Sequence, residues 1–128
     1  NLTSVDPYME YQDWNGRRMN EREEMCKRMN DRLKGYSNRF THIRKTSDDA
    51  AGLFDDGEYD LVFIDGLHTY EQLSIDCVNY YHKVKTGGIF AGHDFTAIEG
   101  VNRAAKEFAA KVGKEILTTE CDVWYWIK

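Results

Sequence analysis

Asp65 and His68 stand three residues apart in DLVFIDGLHTY, directly after the apolar run Leu61–Ile64. His93 and Asp94 follow a second apolar run, GIFAG. Alone, His68 reads as a surface or satisfied histidine; its place beside Asp65 makes it a candidate functional residue, because histidine changes charge near neutral pH. Asp65, His93 and Asp94 together also form a candidate set for a divalent cation. Two carboxylates suit a hard ion such as Mg²⁺, whereas an imidazole leans toward Mn²⁺, Fe²⁺ or Zn²⁺. Two further strand ends carry polar groups. Asp6 either starts a turn before Pro7, the only proline, or accepts hydrogen bonds from the two hydroxyls of a ribose. Ser47 and Asp48 are helix-capping types, and a cap can also touch a ligand. Each of these positions keeps a purely structural alternative: Asp65 as a turn cap, His93 and Asp94 as a strand terminus. His42 and His82 are assigned no role.

The elements that must hold these residues alternate. Leu2–Asp6 reads as a short strand, followed by a loop with Tyr8, Tyr11 and Trp14. A helix then runs from Asn20, paired with Glu23 as a capping box, to Gly35. Its Met25, Met29, Leu33 and Tyr36 recur at helical spacing and read as a core-packing stripe. Phe40–Ile43 is a second strand, and SDDAAGLF a short helix opened by Thr46 or Ser47. Leu61–Asp65, continuous and apolar, reads as a fully buried strand. Thr69 with Gln72 caps a helix whose Tyr70, Leu73, Cys77, Tyr80, Tyr81 and Val84 share a face. Gly88–Gly92 is another buried strand. Thr96 with Glu99 caps a helix that turns Val101, Ala104, Ala105, Phe108 and Val112 inward. Two strand-like runs flank Glu120–Asp122 as an antiparallel pair. Such alternation predicts an α/β fold with a mainly parallel sheet, helices on both faces and an antiparallel carboxyl-terminal strand. Ligands in such sheets bind outside the carboxyl ends of the strands, which is where Asp6, Ser47, Asp48, Asp65, His68, His93 and Asp94 fall.

Composition narrows the function classes. The 128 residues suffice for one domain with a core of its own, and residues 1–128 read as a single domain. A net charge of −5 with dispersed Lys and Arg argues against a nucleic-acid surface. No apolar run is long enough for a membrane span and no secretory signal is present, so the expected location is cytoplasmic. The 3 cysteines are far apart and form no CxxC pair, which predicts small buried thiols in a reducing compartment.

FIDGLHTY, followed about twenty residues later by KTGGIFAGHDF, resembles the class I S-adenosylmethionine-dependent methyltransferases, in particular their small-molecule O-methyltransferase-like branch. SVDPY and the terminal VWYWIK support the likeness. The resemblance implies a Rossmann-like three-layer α/β/α sandwich and a methyl transfer from S-adenosylmethionine to a small-molecule acceptor. It assigns Asp6 to the donor ribose, Ser47 and Asp48 to the adenine side, and Asp65 to the neighbourhood of the methyl group. His68 falls where related enzymes carry a base, and Asp65, His93 and Asp94 where metal-dependent members hold a cation such as Mg²⁺. Leu67 stands where the family commonly has a second aspartate. The glycine-rich first strand and loop of the family have no counterpart, so the chain reads as an amino-terminally incomplete domain with the first strand missing. The sheet edge left open in that reading is a candidate for pairing with a second copy, a homo-oligomer. Two rivals stand beside the enzyme reading. One is a non-catalytic binding or assembly module with the same fold. The other is a receiver-type signalling domain, for which Asp65 would accept phosphate; it lacks the lysine that should end a late parallel strand.

Overall fold

The computed structural model of the chain describes residues 1–12, 18–19 and 22–128. These form two compact units, Asn1–Ala50 and Ala51–Lys128.

In the first unit, β1 (Leu2–Val5) pairs in parallel with β4 (Phe40–Ile43), Leu2 opposite Phe40 and Val5 opposite Ile43. The ladder runs on past the strand, since Asp6 N–H donates to Ile43 O at 3.2 Å. Parallel neighbours need a long crossover, and α1 (Arg22–Leu33) supplies it, with Glu23 and Glu24 in its first turn and Arg32 in its last, as the helix dipole favours. The stretch read as an aromatic loop also contains a small antiparallel pair, β2 (Tyr11–Gln12) with β3 (Arg18–Met19). Two-residue strands are too short to leave an alternating pattern. Trp14 and the Asn20 cap lie outside the described residues. Glu23, the other half of that capping box, accepts from the forked guanidinium of Arg44. The methionine stripe is not a buried core. Met25 is 45% and Tyr36 48% exposed, Cys26 is the buried residue of α1, and Met25, Met29 and Leu33 line an open groove with Tyr8, Arg28 and Arg32. A short helix, α2 (Ser47–Ala50), closes the unit. Thr46 caps it, its Oγ1 accepting from Asp49 N–H at 3.2 Å.

The second unit contains β5 (Tyr59–Ile64), α3 (Tyr70–Tyr81), β6 (Val84–Gly92), α4 (Glu99–Lys111), β7 (Leu117–Thr118) and β8 (Trp124–Ile127). The sheet order is β5-β6-β8-β7: β5 and β6 are parallel with α3 as their crossover, and β8 and β7 join antiparallel. Helix α3 ends at Tyr81, so Val84 opens β6 instead of completing the helical face. Leu73 and Cys77 of α3 and Val101, Ala104, Ala105 and Phe108 of α4 pack with Phe90, Trp124 and Trp126 of the sheet. Burying each large side chain of this kind contributes roughly 1.5–3 kcal/mol. Trp124 and Trp126 stack with centroids 5.3 Å apart at 26°. Gly92 is required beside them: a Cβ there would meet the Trp124 indole and lie 2.7 Å from Ile64 O.

Helix α4 is not capped by the Thr96–Glu99 box. Its N-cap, Ile98, has no capping side chain. Asp122 approaches from the turn before β8 instead, and its carboxylate accepts from Thr96 N–H and Thr96 Oγ1–H at 2.6 Å and from Ala97 N–H at 3.2 Å. Both amides precede the N-cap, so Asp122 ties down the turn that leads into α4 and leaves the helix itself without a side-chain cap; these charge-assisted bonds hold the Asp122 carboxyl below its usual range.

The run at Leu61–Asp65 is buried on one face only. Val62 and Ile64 pack on the core, whereas Leu61 and Phe63 are 51% and 48% exposed, next to exposed Ile89 and Ile127. Among the described residues β5 pairs only with β6 in this sheet. Cys26 and Cys77 are buried and Cys121 is exposed, all three free. No described helix is long and apolar enough to cross a membrane.

Candidate active site

Adjacent parallel strands deliver the principal cluster. Asp65 is the first residue after β5, and Asp94 lies two residues beyond β6. The register sets Ile64 opposite Gly92, and His93 N–H donates to Ile64 O at 3.2 Å. Both carboxylates therefore leave the same end of the sheet. Asp94 adopts φ 59°, the left-handed region that side-chain-bearing residues seldom occupy and that clusters at functional sites. The chain then turns tightly through Gly66 and Leu67, Thr69 N–H closing on Leu67 O at 2.9 Å, and Thr69 caps α3 by accepting from Gln72 N–H at 3.2 Å. This turn carries His68 back toward the strand ends.

The His68 Nε2 lies 3.1 Å from Asp65 Oδ1 and 2.8 Å from Asp94 Oδ2. Ionised carboxylates only accept, so Nε2 carries the hydrogen that both acids share. The hydrogen bond from His68 holds the Asp65 carboxyl below its usual range, against the opposing effect of partial burial; the His68 and His93 charges add to the lowering. One ligand atom each from Asp65, His68 and Asp94 fall within 4.8 Å of one another. A pair of carboxylates and an imidazole this close can orient a proton acceptor or share one cation.

His93 is directed elsewhere. Its Nε2 donates to Cys121 O at 3.0 Å, and its Nδ1 lies 3.3 Å from Asp94 Oδ1. Burial works against the charged ring, but with both nitrogens facing acceptors, first among them Asp94, the His93 pKa is raised. The cluster thus unites Asp65 and Asp94 with His68, while His93 buttresses Asp94 from behind. The i,i+3 spacing of Asp65 and His68 signals their contact; the contact of His68 with Asp94 leaves no sequence signal.

Asp6, Ser47 and Asp48 belong to the first unit, at the carboxyl ends of the parallel pair β1 and β4. Asp6 Oδ1 accepts from Tyr8 N–H at 2.7 Å and Oδ2 from Arg22 Nη2 at 2.8 Å. Arg22 lies over the rings of Tyr8 and Tyr11, 5.3 and 5.5 Å from their centroids. Tyr8 has φ 48°, and burial followed by the Asp6 charge pushes its phenol up. Arg22, sixteen positions from Asp6, was not legible as its partner. Ser47 and Asp48 are the first two residues of α2, Ser47 half-buried and Asp48 exposed.

A family model described as a methyltransferase domain matches residues 1–95. Among solved structures, the O-methyltransferase NovP aligns with 98% of this chain and 59% of its own at 18% identity and a TM-score of 0.69. A protein from Corynebacterium glutamicum aligns with 99% of this chain and 60% of its own at 18% identity and a TM-score of 0.62. A protein from Bordetella parapertussis aligns with 99% and 53% at 14% identity and a TM-score of 0.56. At these identities the likeness is one of α/β fold, and the chain spans about three fifths or less of the length of these solved proteins. No curated protein matches the chain.

Proposed function

The chain belongs to this methyltransferase family, and from that premise we propose that it transfers a methyl group from S-adenosylmethionine to the oxygen of a small-molecule acceptor. The observation that carries the reading is the imidazole of His68 held between Asp65 and Asp94 at the ends of two parallel strands. In the proposed transfer His68 takes the proton of the acceptor hydroxyl while Asp65 and Asp94 fix the ring, so that the freed oxygen meets the methyl group in line. Asp6 is assigned to the donor ribose, Ser47 and Asp48 to its adenine side, and Asp65 to the methyl end.

The donor set of Asp65, His68 and Asp94 also fits one divalent cation, since its three ligand atoms are close enough to share it. Such a cation, Mg²⁺ or a softer Mn²⁺, would supply a Lewis acid that acidifies the acceptor hydroxyl. His68 cannot give Nε2 to a cation and keep its hydrogen there, so the two roles are distinguishable.

Calorimetric titration with S-adenosylmethionine and S-adenosylhomocysteine, with and without Mg²⁺, tests the reading. Micromolar binding that Asp6→Ala abolishes is expected, and Mg²⁺ dependence lost in both Asp94→Asn and His68→Gln would assign the cluster to the cation. Absence of donor binding at millimolar concentration overturns the proposal. It would favour the second reading, a non-catalytic module of the same fold, which the engagement of both Asp6 oxygens by Arg22 and the Tyr8 amide supports.

A further inference from the structure

Asp76 is 3% exposed, an acid in the wall of α3 that faces the core. A buried carboxylate is costly unless hydrogen bonds satisfy it, so its retention calls for a local reason. Its Oδ1 accepts from Gln72 Nε2 at 3.1 Å, one helical turn earlier on the same face. Its Oδ2 faces the turn after β5: a Cβ built on Gly66 would lie 3.8 Å from that oxygen and within 4 Å of no other group. Gly66 directly follows Asp65. Gln72 also donates its backbone N–H to Thr69 Oγ1, and Thr69 directly follows His68. The neighbouring Cys77 thiol is pushed up to about 12 by burial and then by the Asp76 charge, so it packs rather than reacts.

We propose that Asp76 is a positioning residue: with Gln72 it holds the Asp65–Gly66–Leu67–His68 turn at both ends, so that His68 reaches Asp65 and Asp94 together. The catalytic meaning of this role rests on the methyl-transfer reading; the geometry does not. A lone aspartate on an apolar helical face would otherwise count as a packing defect, whereas a carboxylate under a glycine turn is a rigid support for the two residues that flank it.

The test is ¹⁵N-edited NMR of the whole chain without added metal, reading the His68 Hε2 proton. In the native chain this proton is expected downfield and protected from exchange, because it is shared by two carboxylates. Asp76→Asn keeps the size of the side chain but loses the charge, and should abolish the Hε2 resonance and move the Gly66 amide. The His82 ring at the end of α3 should stay in place, showing the helix intact. Gln72→Ala, a milder change on the half-buried side of the helix, should produce the same loss and decides the matter if Asp76→Asn does not fold. Leu73→Ala serves as control: it should lower stability without moving the His68 signal. A native chain without a protected Hε2, or an Hε2 that persists in both variants while stability falls, overturns the proposal. Failure of donor binding in calorimetry would sink the methyl-transfer reading yet leave this NMR result unchanged, so the two failures are separable.

Discussion

At the scale of single residues, Asp65 and His93 should give stability opposite dependences on pH. The Asp65 carboxyl is lowered chiefly by the His68 hydrogen bond. Its contribution is therefore complete above the ordinary carboxylate value of about 4 and is lost as pH falls through the lowered one. Urea midpoints measured between pH 5 and 3 should fall more steeply for the native chain than for His68→Gln. His93 behaves in the reverse sense. Its raised pKa means a contribution complete below about 6.5 that disappears as pH rises through the folded value. His93→Asn should remove a loss of stability that the native chain shows between pH 6 and 8. Asp65, His68 and Asp94 were legible in the sequence because each sits just past a run of apolar residues, where a strand must end. Asp76 was not, since a helical face is read from its apolar positions and Leu73 and Cys77 already account for that face. The Arg22 partner of Asp6 was equally hidden, because no local pattern encodes a contact sixteen residues apart.

At the scale of elements, the end of β6 is fixed by a missing side chain. Gly92→Ala would push a methyl group into the Trp124 indole and toward Ile64 O, and should cost roughly 1–3 kcal/mol in urea unfolding. It should also disturb the register that brings Asp94 beside Asp65, so donor or cation binding should weaken with it. The turn that leads into α4 depends on an acceptor from another element, and Asp122→Ala should lower Tm while Glu99→Ala changes it little, since Glu99 completes no capping box. The sequence announced α3 and α4 through their periodicity and their strands through apolar runs. It could not announce the contact of Asp122 with Thr96, twenty-six residues away, nor the half-exposure of β5. A continuous apolar run reads the same whether one face of the strand is covered or two.

At the scale of the whole molecule, the buried apolar residues are unevenly shared. Among the described residues, Cys26 and Ala50 are the buried hydrophobic residues of the first unit, whereas the second holds the aromatic cluster of Phe90, Phe108, Trp124 and Trp126. Native-state hydrogen exchange should therefore show the slowest amides in β6, β8 and α4, and faster exchange through local opening in β1 and β4. Uniform protection across both units would contradict this division. The packed centre of the second unit has an optical consequence. Trp124 and Trp126 lie inclined by 26° and close enough for their excited states to couple, and Trp124 presses on the glycine two residues before Asp94. The far-ultraviolet circular dichroism of the unlabelled protein should then carry an exciton couplet that responds to whatever settles on the rim. A chromophore pair already built into the fold would let donors, acceptors and cations be screened without a dye, a tag or an assay for turnover.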